Sequence, residues 1–257
     1  MSVLSLPEPT SWRDGRTTFK WIVVGVLALV AMPLYWGVAA TLRGHYLTTV
    51  VILGWVAFPV AVVLALALAS YGRTTLRVSY DSTGTKVLPD RTFSILGFSG
   101  LAAVIPGGVL FVIFVPSGDI DIPMTRGLQI FSPILMGFAV VVAISGLISA
   151  WRRGGMGYLK LTITGLDNAN IVFTKSVDWD DIVNITDSAE TKRTRKAIVL
   201  CLQDGSEEVI EGADLYVPRG AALYWMVRYY WRHPDARSEL TDGRAVDRLR
   251  DGRFEHD

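Results

Sequence analysis

Four long stretches without a charged side chain constrain the fold more than any other feature of this chain. They cover residues 21–42, 47–71, 94–115 and 127–151. Each is long enough to cross a hydrocarbon core of about 30 Å as a helix, which takes about 20 residues. A hydrophobic content of 51% and a mean hydropathy of +0.37 also favour the membrane class. We predict an α-helical membrane bundle of four transmembrane helices over residues 21–151.

Basic residues are concentrated at one set of span ends, and they predict the orientation. Lys and Arg are retained on the cytoplasmic side of a membrane. The opposite side carries only Arg43 and Arg126, with Asp119 and Asp121. We therefore predict a multi-pass protein of the cell inner (plasma) membrane with both termini cytoplasmic, including the segment 1–20. The residues expected on the cytoplasmic side are Arg13, Arg16, Lys20, Arg73, Arg77, Lys86, Arg91, Arg152 and Arg153.

The interiors of the spans contain no Asp, Glu, Lys, Arg or His, which argues against an ion-coupled carrier. Pro106 is followed by Gly107-Gly108, so the third span is expected to be kinked or locally unwound. Broken helices line substrate sites in transporters. Pro and Gly are also tolerated in membrane helices for packing alone. A substrate site and helix packing both stay open as explanations, since every span contains one proline. These are Pro33, Pro59, Pro106 and Pro133.

Small residues recur at a four-residue spacing in the second span. Ala57, Ala61, Ala65 and Ala69 fall on one helix face. Small residues let membrane helices approach closely. This face predicts either a compact bundle or a homo-oligomer contact.

After residue 157 the continuous apolar runs give way to alternation, which is typical of β-strands. Asp204-Gly205 is a strong hairpin turn, and residues 165–168 also have turn chemistry. A helical pattern runs from Pro218 to His233, where Pro234 stops it. The predicted strands are 158–164, 169–174, 179–186, 196–203 and 207–211.

This arrangement resembles the bacterial pleckstrin-homology-like domain. The resemblance is carried by the strand-turn-strand at 158–174, the run Val177-Asp178-Trp179-Asp180-Asp181-Ile182, the Asp204-Gly205 hairpin and the terminal helix. It implies a small β-rich cytoplasmic domain over 157–234, capped by a C-terminal helix. Phosphoinositide-binding relatives carry basic residues in the first hairpin. Residues 165–170 contain none, so the resemblance does not imply inositol-lipid binding.

Two further segments flank this domain. Residues 73–91 also read as a strand-turn-strand hairpin on the cytoplasmic side. Because an isolated hairpin is marginal in water, we expect it to dock on the later domain or on the membrane surface. The charged tail 235–257 is expected to be solvated, with a short helix at 245–250 ended by Gly252.

Catalytic chemistry has no support in the sequence. His45, His233 and His256 have no ligand or triad partner at a recognisable spacing. The single cysteine, Cys201, excludes an internal disulfide and a cysteine-rich metal site. Asp180 and Asp181 are neighbours in a strand and would point to opposite faces. We predict no catalytic, cofactor-binding or metal-binding residues, and no enzyme.

One basic run stands out, Lys192-Arg193-Thr194-Arg195-Lys196, between two predicted strands. Such a run is usually a solvated hairpin tip. Beside a membrane it would attract anionic lipid, and it would also suit an acidic protein partner. Nucleic acid is not expected, because no aromatic platform lies nearby. The candidate contacts are Lys192, Arg193, Arg195 and Lys196.

These features predict a non-enzymatic, membrane-anchored interaction or scaffolding protein that presents its domain at the cytoplasmic face. Its expected partners are the lipid bilayer and either another protein or a second copy of the chain. The alternative is a small transporter or lipid-handling subunit that works through the Pro/Gly-interrupted spans.

Overall fold

The computed structural model describes residues 6–152, 155–170, 173–189 and 194–254, with the backbone alone for 13–18. The chain divides into two compact units. The helical unit comprises Lys20–Ala65 and Ile95–Arg152. The β unit is assembled from three separate pieces of chain: Met1–Phe19, Leu66–Ser94 and Arg153–Asp257.

Four long helices account for the apolar stretches. All four are long and apolar enough to cross a membrane. Leu135 and Phe138 are each 70% exposed, and so many outward apolar side chains need lipid as their solvent. The prediction of four apolar spans is confirmed. The helices are α1 Gly15–Leu42, α2 Tyr46–Ser70, α3 Arg91–Phe114 and α4 Arg126–Arg152.

Glycines set the distances between neighbouring helices in the helical unit. A Cβ built on Gly54 of α2 would lie 2.9 Å from the Cα of Gly107 in α3. A Cβ on Gly108 would lie 2.4 Å from Val140 Cγ2 of α4. The helix α3 is continuous through Pro106, so the local unwinding expected there does not occur. Gly107 and Gly108 serve instead to bring α3 close to its neighbours on both sides.

The β unit contains a five-stranded sheet and a three-stranded sheet, and every strand pair is antiparallel. Strand order follows the chain in both sheets. The first sheet contains β1 Arg77–Asp81, β2 Gly84–Leu88, β3 Tyr158–Leu161, β4 Gly165–Ala169 and β5 Thr174–Asp178. The second contains β6 Ile182–Thr186, β7 Ile198–Leu202 and β8 Glu207–Ile210.

The hairpin between α2 and α3 is part of the larger sheet. Its second strand, β2, pairs with β3, and Val87 lies opposite Leu159. Both side chains are fully buried. Docking of this hairpin on the later domain, one of the two expected outcomes, is therefore confirmed. The expected domain 157–234 is one piece of a unit that the hairpin enlarges.

The predicted turn at 165–168 was wrong, since these residues form most of β4. The turn lies earlier, where the Thr162 hydroxyl accepts the Gly165 N–H at 3.0 Å and donates to its carbonyl at 2.9 Å. Gly165 is required for a close approach: a Cβ there would lie 2.2 Å from the Val177 carbonyl oxygen of β5. The predicted strand 169–174 falls largely in the next connection, where Asn170 N–H bonds to Phe173 O at 3.0 Å.

One hydrophobic core joins both sheets to the helix α5, Ala221–Arg232. Pro234 follows α5 as predicted from the sequence. Trp179 is 2% exposed and its indole N–H donates to Thr162 O at 2.9 Å. The largest side chains of this core that are fully buried are Trp179, Tyr230, Leu159, Leu161, Leu166, Ile198, Leu200, Ile210, Leu223 and Met226.

The C-terminal tail is folded rather than solvated as expected. A 3-10 helix, Pro234–Thr241, is followed by α6, Arg244–Asp251. Leu240 and Leu249 are fully buried, and the Thr85 hydroxyl of β2 donates to Leu240 O at 2.6 Å. The few apolar residues of the tail share one face, so packing on the β unit orders a segment whose overall composition is polar.

The strand register places the start of β1, the end of β2 and the start of β3 at one end of the larger sheet. Arg77, where β1 begins, lies opposite Leu88, where β2 ends. The pairing of β2 with β3 puts Tyr158, the first residue of β3, at the same end. The last turn of α2 and the first turn of α3 also belong to the β unit.

Candidate functional site

The part of the predicted basic run that the structure describes is not a solvated hairpin tip. Lys192 and Arg193 lie outside the described residues. The side chains of Arg195 and Lys196 are only 13% and 14% exposed. Both cations contact acidic residues that sequence reasoning did not connect with them.

Arg195 makes a buried ion pair. Its guanidinium donates to the Oδ2 of Asp214, whose side chain is fully buried. It also donates to the Ser70 hydroxyl, at the last residue of α2, at 3.0 Å. Burial raises the pKa of Asp214, and the charges of Arg195 and Lys196 oppose that rise. Asp214 Oδ1 has no hydrogen-bond partner among the described residues. Arg195 is thus the principal countercharge of a carboxylate held away from water.

Lys196 holds the N-terminal part of the chain. Its ammonium lies 3.0 Å from the Glu8 carboxylate and donates to Arg219 O at 2.9 Å. It also lies 5.9 Å from the centre of the Trp12 ring. The backbone φ of Lys196 is +45°, a conformation uncommon outside glycine. This turn of the backbone directs two adjacent cations to two different carboxylates.

Residues 6–12, which we call the strap, lie across the β unit. Trp12 is 4% exposed, and its indole N–H contacts Ala197 O at 3.1 Å and Asp187 O at 3.2 Å. Its ring meets that of Tyr224 edge to face, with centroids 5.8 Å apart. At the other end, Trp225 Nε1 donates to Pro7 O at 3.0 Å. The strap therefore bridges α5 and the start of β7.

Asp90 fastens the start of α3 within the β unit. Its Oδ1 accepts the N–H groups of Thr92 and Phe93 at 2.8 and 3.0 Å, which is an N-cap. Its Oδ2 accepts the N–H and hydroxyl of Thr75 at 2.8 and 2.7 Å. Its own N–H donates to Leu215 O at 2.8 Å. Desolvation raises the pKa of this carboxyl, but the hydrogen bonds from Thr75, Phe93 and Thr92 outweigh it and hold the pKa below its usual value.

We expect Asp90→Asn to lower the free energy of unfolding at neutral pH by about 1–3 kcal/mol, because an amide NH₂ would face the Thr75 donors. Because folding lowers the pKa of this carboxyl, the carboxylate stabilises the folded state above the unfolded pKa of about 3.9. This contribution is lost as the pH falls from that value through the lower pKa of the folded state. The difference between wild type and variant should therefore shrink below about pH 4. Thermal unfolding of the full chain across pH measures this, with the exposed Asp180→Asn as control. A difference that persists unchanged at low pH would contradict it.

Two cationic side chains near the C-terminal end of α2 are exposed to solvent. Arg73 and Arg219 are exposed, and their side chains form no ion pair within the described residues. The Arg219 side chain passes Gly72, where a Cβ would lie 3.5 Å from its Cγ. A cation beside a helix C-terminus is favourable, and so is one beside anionic headgroups. Free positive charge here is thus carried by Arg73 and Arg219 rather than by Arg195 and Lys196.

Other polar clusters in the described residues are internally paired. Arg248 makes a two-point contact with Glu239 at 2.8 and 2.9 Å, and Tyr230 donates to the same carboxylate at 3.1 Å. This cluster lines a cavity at α6. Across the described ranges, no three or more His, Cys, Asp or Glu side chains are placed to hold a metal ion.

Comparison with known proteins adds no relative to this description. No family model matches the chain, and neither curated proteins nor solved structures give a significant match.

Proposed function

We propose that this chain is a non-enzymatic interaction protein of a bacterial plasma membrane that presents a pleckstrin-homology-like unit at the cytoplasmic face. One observation carries the proposal. The chain passes between the β unit and the apolar helices four times, and three of these passages, before β1, after β2 and before β3, are at one end of the larger sheet. The other end of that sheet carries the β1–β2 and β3–β4 turns and has no connection to the apolar helices.

The architecture of the β unit supports the pleckstrin-homology-like assignment. Two antiparallel sheets share one core with α5, as expected for a curled sheet capped by a helix. The β1–β2 hairpin would be an addition to that arrangement, supplied by the loop between α2 and α3. This part of the proposal rests on architecture and on the resemblance noted in the sequence.

The free end of the larger sheet offers a surface for a protein partner. Ile163, in the β3–β4 turn, is 50% exposed. Val183, the second residue of β6, which follows the 3-10 helix Trp179–Asp181, is 60% exposed. Thr164 O accepts the Trp179 N–H at 3.0 Å, which ties the two segments together. Exposed apolar side chains with exposed Asp180 and Asp181 beside them are typical of a protein contact.

Site-specific photo-crosslinking in native membranes tests this function. A photoreactive residue at Ser82 or Ile163, both exposed, should give a discrete protein adduct that Val183→Glu weakens. The same residue at the exposed Leu128, on α4, is the control and should give none. Equal adducts at all three positions, or solute flux through the purified chain in liposomes, would favour the transporter alternative instead.

The tight helix contacts in the helical unit favour interaction over transport. Gly54 and Gly107 meet backbone to backbone, and a solute pathway needs space that such contact excludes. The bilayer itself is proposed as the second partner, through Arg73 and Arg219 together with the predicted contacts Lys192 and Arg193.

Cysteine labelling tests the proposed orientation. In a Cys201→Ser background, a cysteine at Asp119, between α3 and α4, should react with an impermeant reagent in intact cells. A cysteine at Ser82 should react only after permeabilisation. Both positions are exposed, so accessibility depends on the side of the membrane. The reverse pattern would place the β unit outside the cell.

A further inference from the structure

The strap contacts the β unit as a ligand would. Its hydrogen bonds reach residues 175 to 218 positions away in the chain. It pairs with neither sheet and is held by side chains instead. We propose that the surface beneath residues 6–12 is a peptide-recognition groove, that the strap is its internal ligand, and that a partner polypeptide of the same chemistry binds by displacing it. This deepens the proposed interaction function, on which it rests, by naming the surface and the class of partner.

The groove recognises four distinct features of the strap. Ala197 O and Asp187 O accept the indole N–H of Trp12. Asp187 also accepts the Ser11 N–H at 3.1 Å and, through its carbonyl, the Ser11 hydroxyl at 3.0 Å. The other two features, Pro7 O and the Glu8 carboxylate, contact Trp225 and Lys196. None of these contacts requires the strap to be covalently joined to the β unit.

The burial pattern indicates an exchangeable segment. Leu6, Pro9 and Trp12 are buried, while the residues between them are exposed. Thr10–Asp14 form a 3-10 helix, which has three residues per turn, and the Trp12 N–H donates to Pro9 O at 3.2 Å. Three anchors must offset the backbone entropy lost in ordering the whole segment. Leu6 and Trp12 pack in the same hydrophobic core as the two sheets and α5, so a competing segment must supply equivalent anchors to take the place of the strap.

The chemistry of the groove defines the partner. It fits a peptide with a tryptophan in a short 3-10 helix and a carboxylate four residues before it, with proline on either side of the carboxylate. When the strap leaves, Lys196 loses Glu8 and keeps only Arg219 O among its described polar contacts. A largely buried ammonium without a countercharge is unfavourable, so the vacated groove selects an acidic segment.

The test is peptide binding in trans to the purified full-length chain and to a chain that begins at residue 13. The probe is a fluorescent synthetic peptide of residues 4–14, followed by anisotropy in detergent. The shortened chain should bind it saturably, and the full-length chain about tenfold or more weakly, because its own strap competes. A Trp12→Ala peptide should also bind about tenfold or more weakly.

A charge reversal gives the matched control. A Glu8→Lys peptide should bind the shortened chain poorly and regain affinity when the groove carries Lys196→Glu. If the shortened chain does not fold, the full-length Trp12→Ala variant, whose strap is loosened, should gain binding of the wild-type peptide. Equal binding by full-length and shortened chains, or no binding by any folded variant, would overturn the groove.

The two proposals fail separately. Absence of peptide binding with intact crosslinks at Ser82 or Ile163 removes the groove and leaves the interaction function. Peptide binding without any crosslinked partner removes the proposed function and leaves a groove that only orders the N-terminus.

Discussion

Arg195→Gln should lower the free energy of unfolding by about 3–5 kcal/mol, since it leaves the Asp214 carboxylate buried without its main countercharge. Asp214 has no exposed side-chain surface, and Arg195 is 13% exposed. The same substitution at Arg244 is the matched control. Arg244 also pairs with an aspartate, Asp242, but the two side chains are 61% and 44% exposed. Exposed pairs contribute at most about 1 kcal/mol. Denaturant unfolding of the full chain, followed by tryptophan fluorescence, measures both.

A second variant separates the ion pair from simple side-chain loss. Arg195→Met combined with Asp214→Asn removes both charges, so it should recover part of the stability lost in Arg195→Gln. If Arg195→Gln proves as mild as Arg244→Gln, the Asp214 carboxyl is already neutral or hydrated in the native state. That result would remove the ion pair as a determinant of this fold.

Gly54→Leu should disrupt the helical unit, with a cost at or above the upper end of the usual overpacking range of about 1–3 kcal/mol. A Cβ at this position already lies 2.9 Å from the Gly107 Cα and 3.0 Å from Ala103 O. Backbone atoms cannot rotate away as a flexible side chain can. The helices α2 and α3 must therefore separate to admit a leucine.

Gly146→Leu is the control within the same class of helix. No atom lies within 4 Å of a Cβ built on Gly146, so the added side chain meets open space. Replacing a glycine in a helix interior is favourable in propensity. Thermal stability in detergent and size-exclusion profiles distinguish the two variants. If Gly54→Leu left thermal stability unchanged while Gly146→Leu lowered it, the faces of these helices that pack against neighbours would be assigned wrongly.

The parts of the fold that were predicted correctly are those specified by local pattern. Uncharged runs of span length and the Asp204-Gly205 turn each depend on neighbours in sequence, and both are present. The turn at 165–168 was predicted wrongly because its composition is polar. What decides that region is the pairing of Gly165 with Asp178 in β5, and composition alone does not contain such a pairing.

The site was the least predictable part. The run containing Arg195 and Lys196 was identified, but its role was taken from charge density alone. Their partners are Asp214 and Glu8, and the contact from Lys196 to Glu8 spans 188 positions. No periodicity connects residues so distant. The hint that the sequence offered was Glu8, the one glutamate of the N-terminal segment, which stands between two prolines.

The pairing of β2 with β3 also determines how late in synthesis the β unit can complete its folding. When Val87 leaves the ribosome, its partner Leu159 is still to be made, with two apolar helices to be inserted before it. Until then β2 presents an unpaired edge, and the strap has no surface on which to lie. The β unit therefore closes only after the fourth helix is in place. A chain that fails to insert its last pair of helices correctly would keep that edge open, where proteases and chaperones can recognise it.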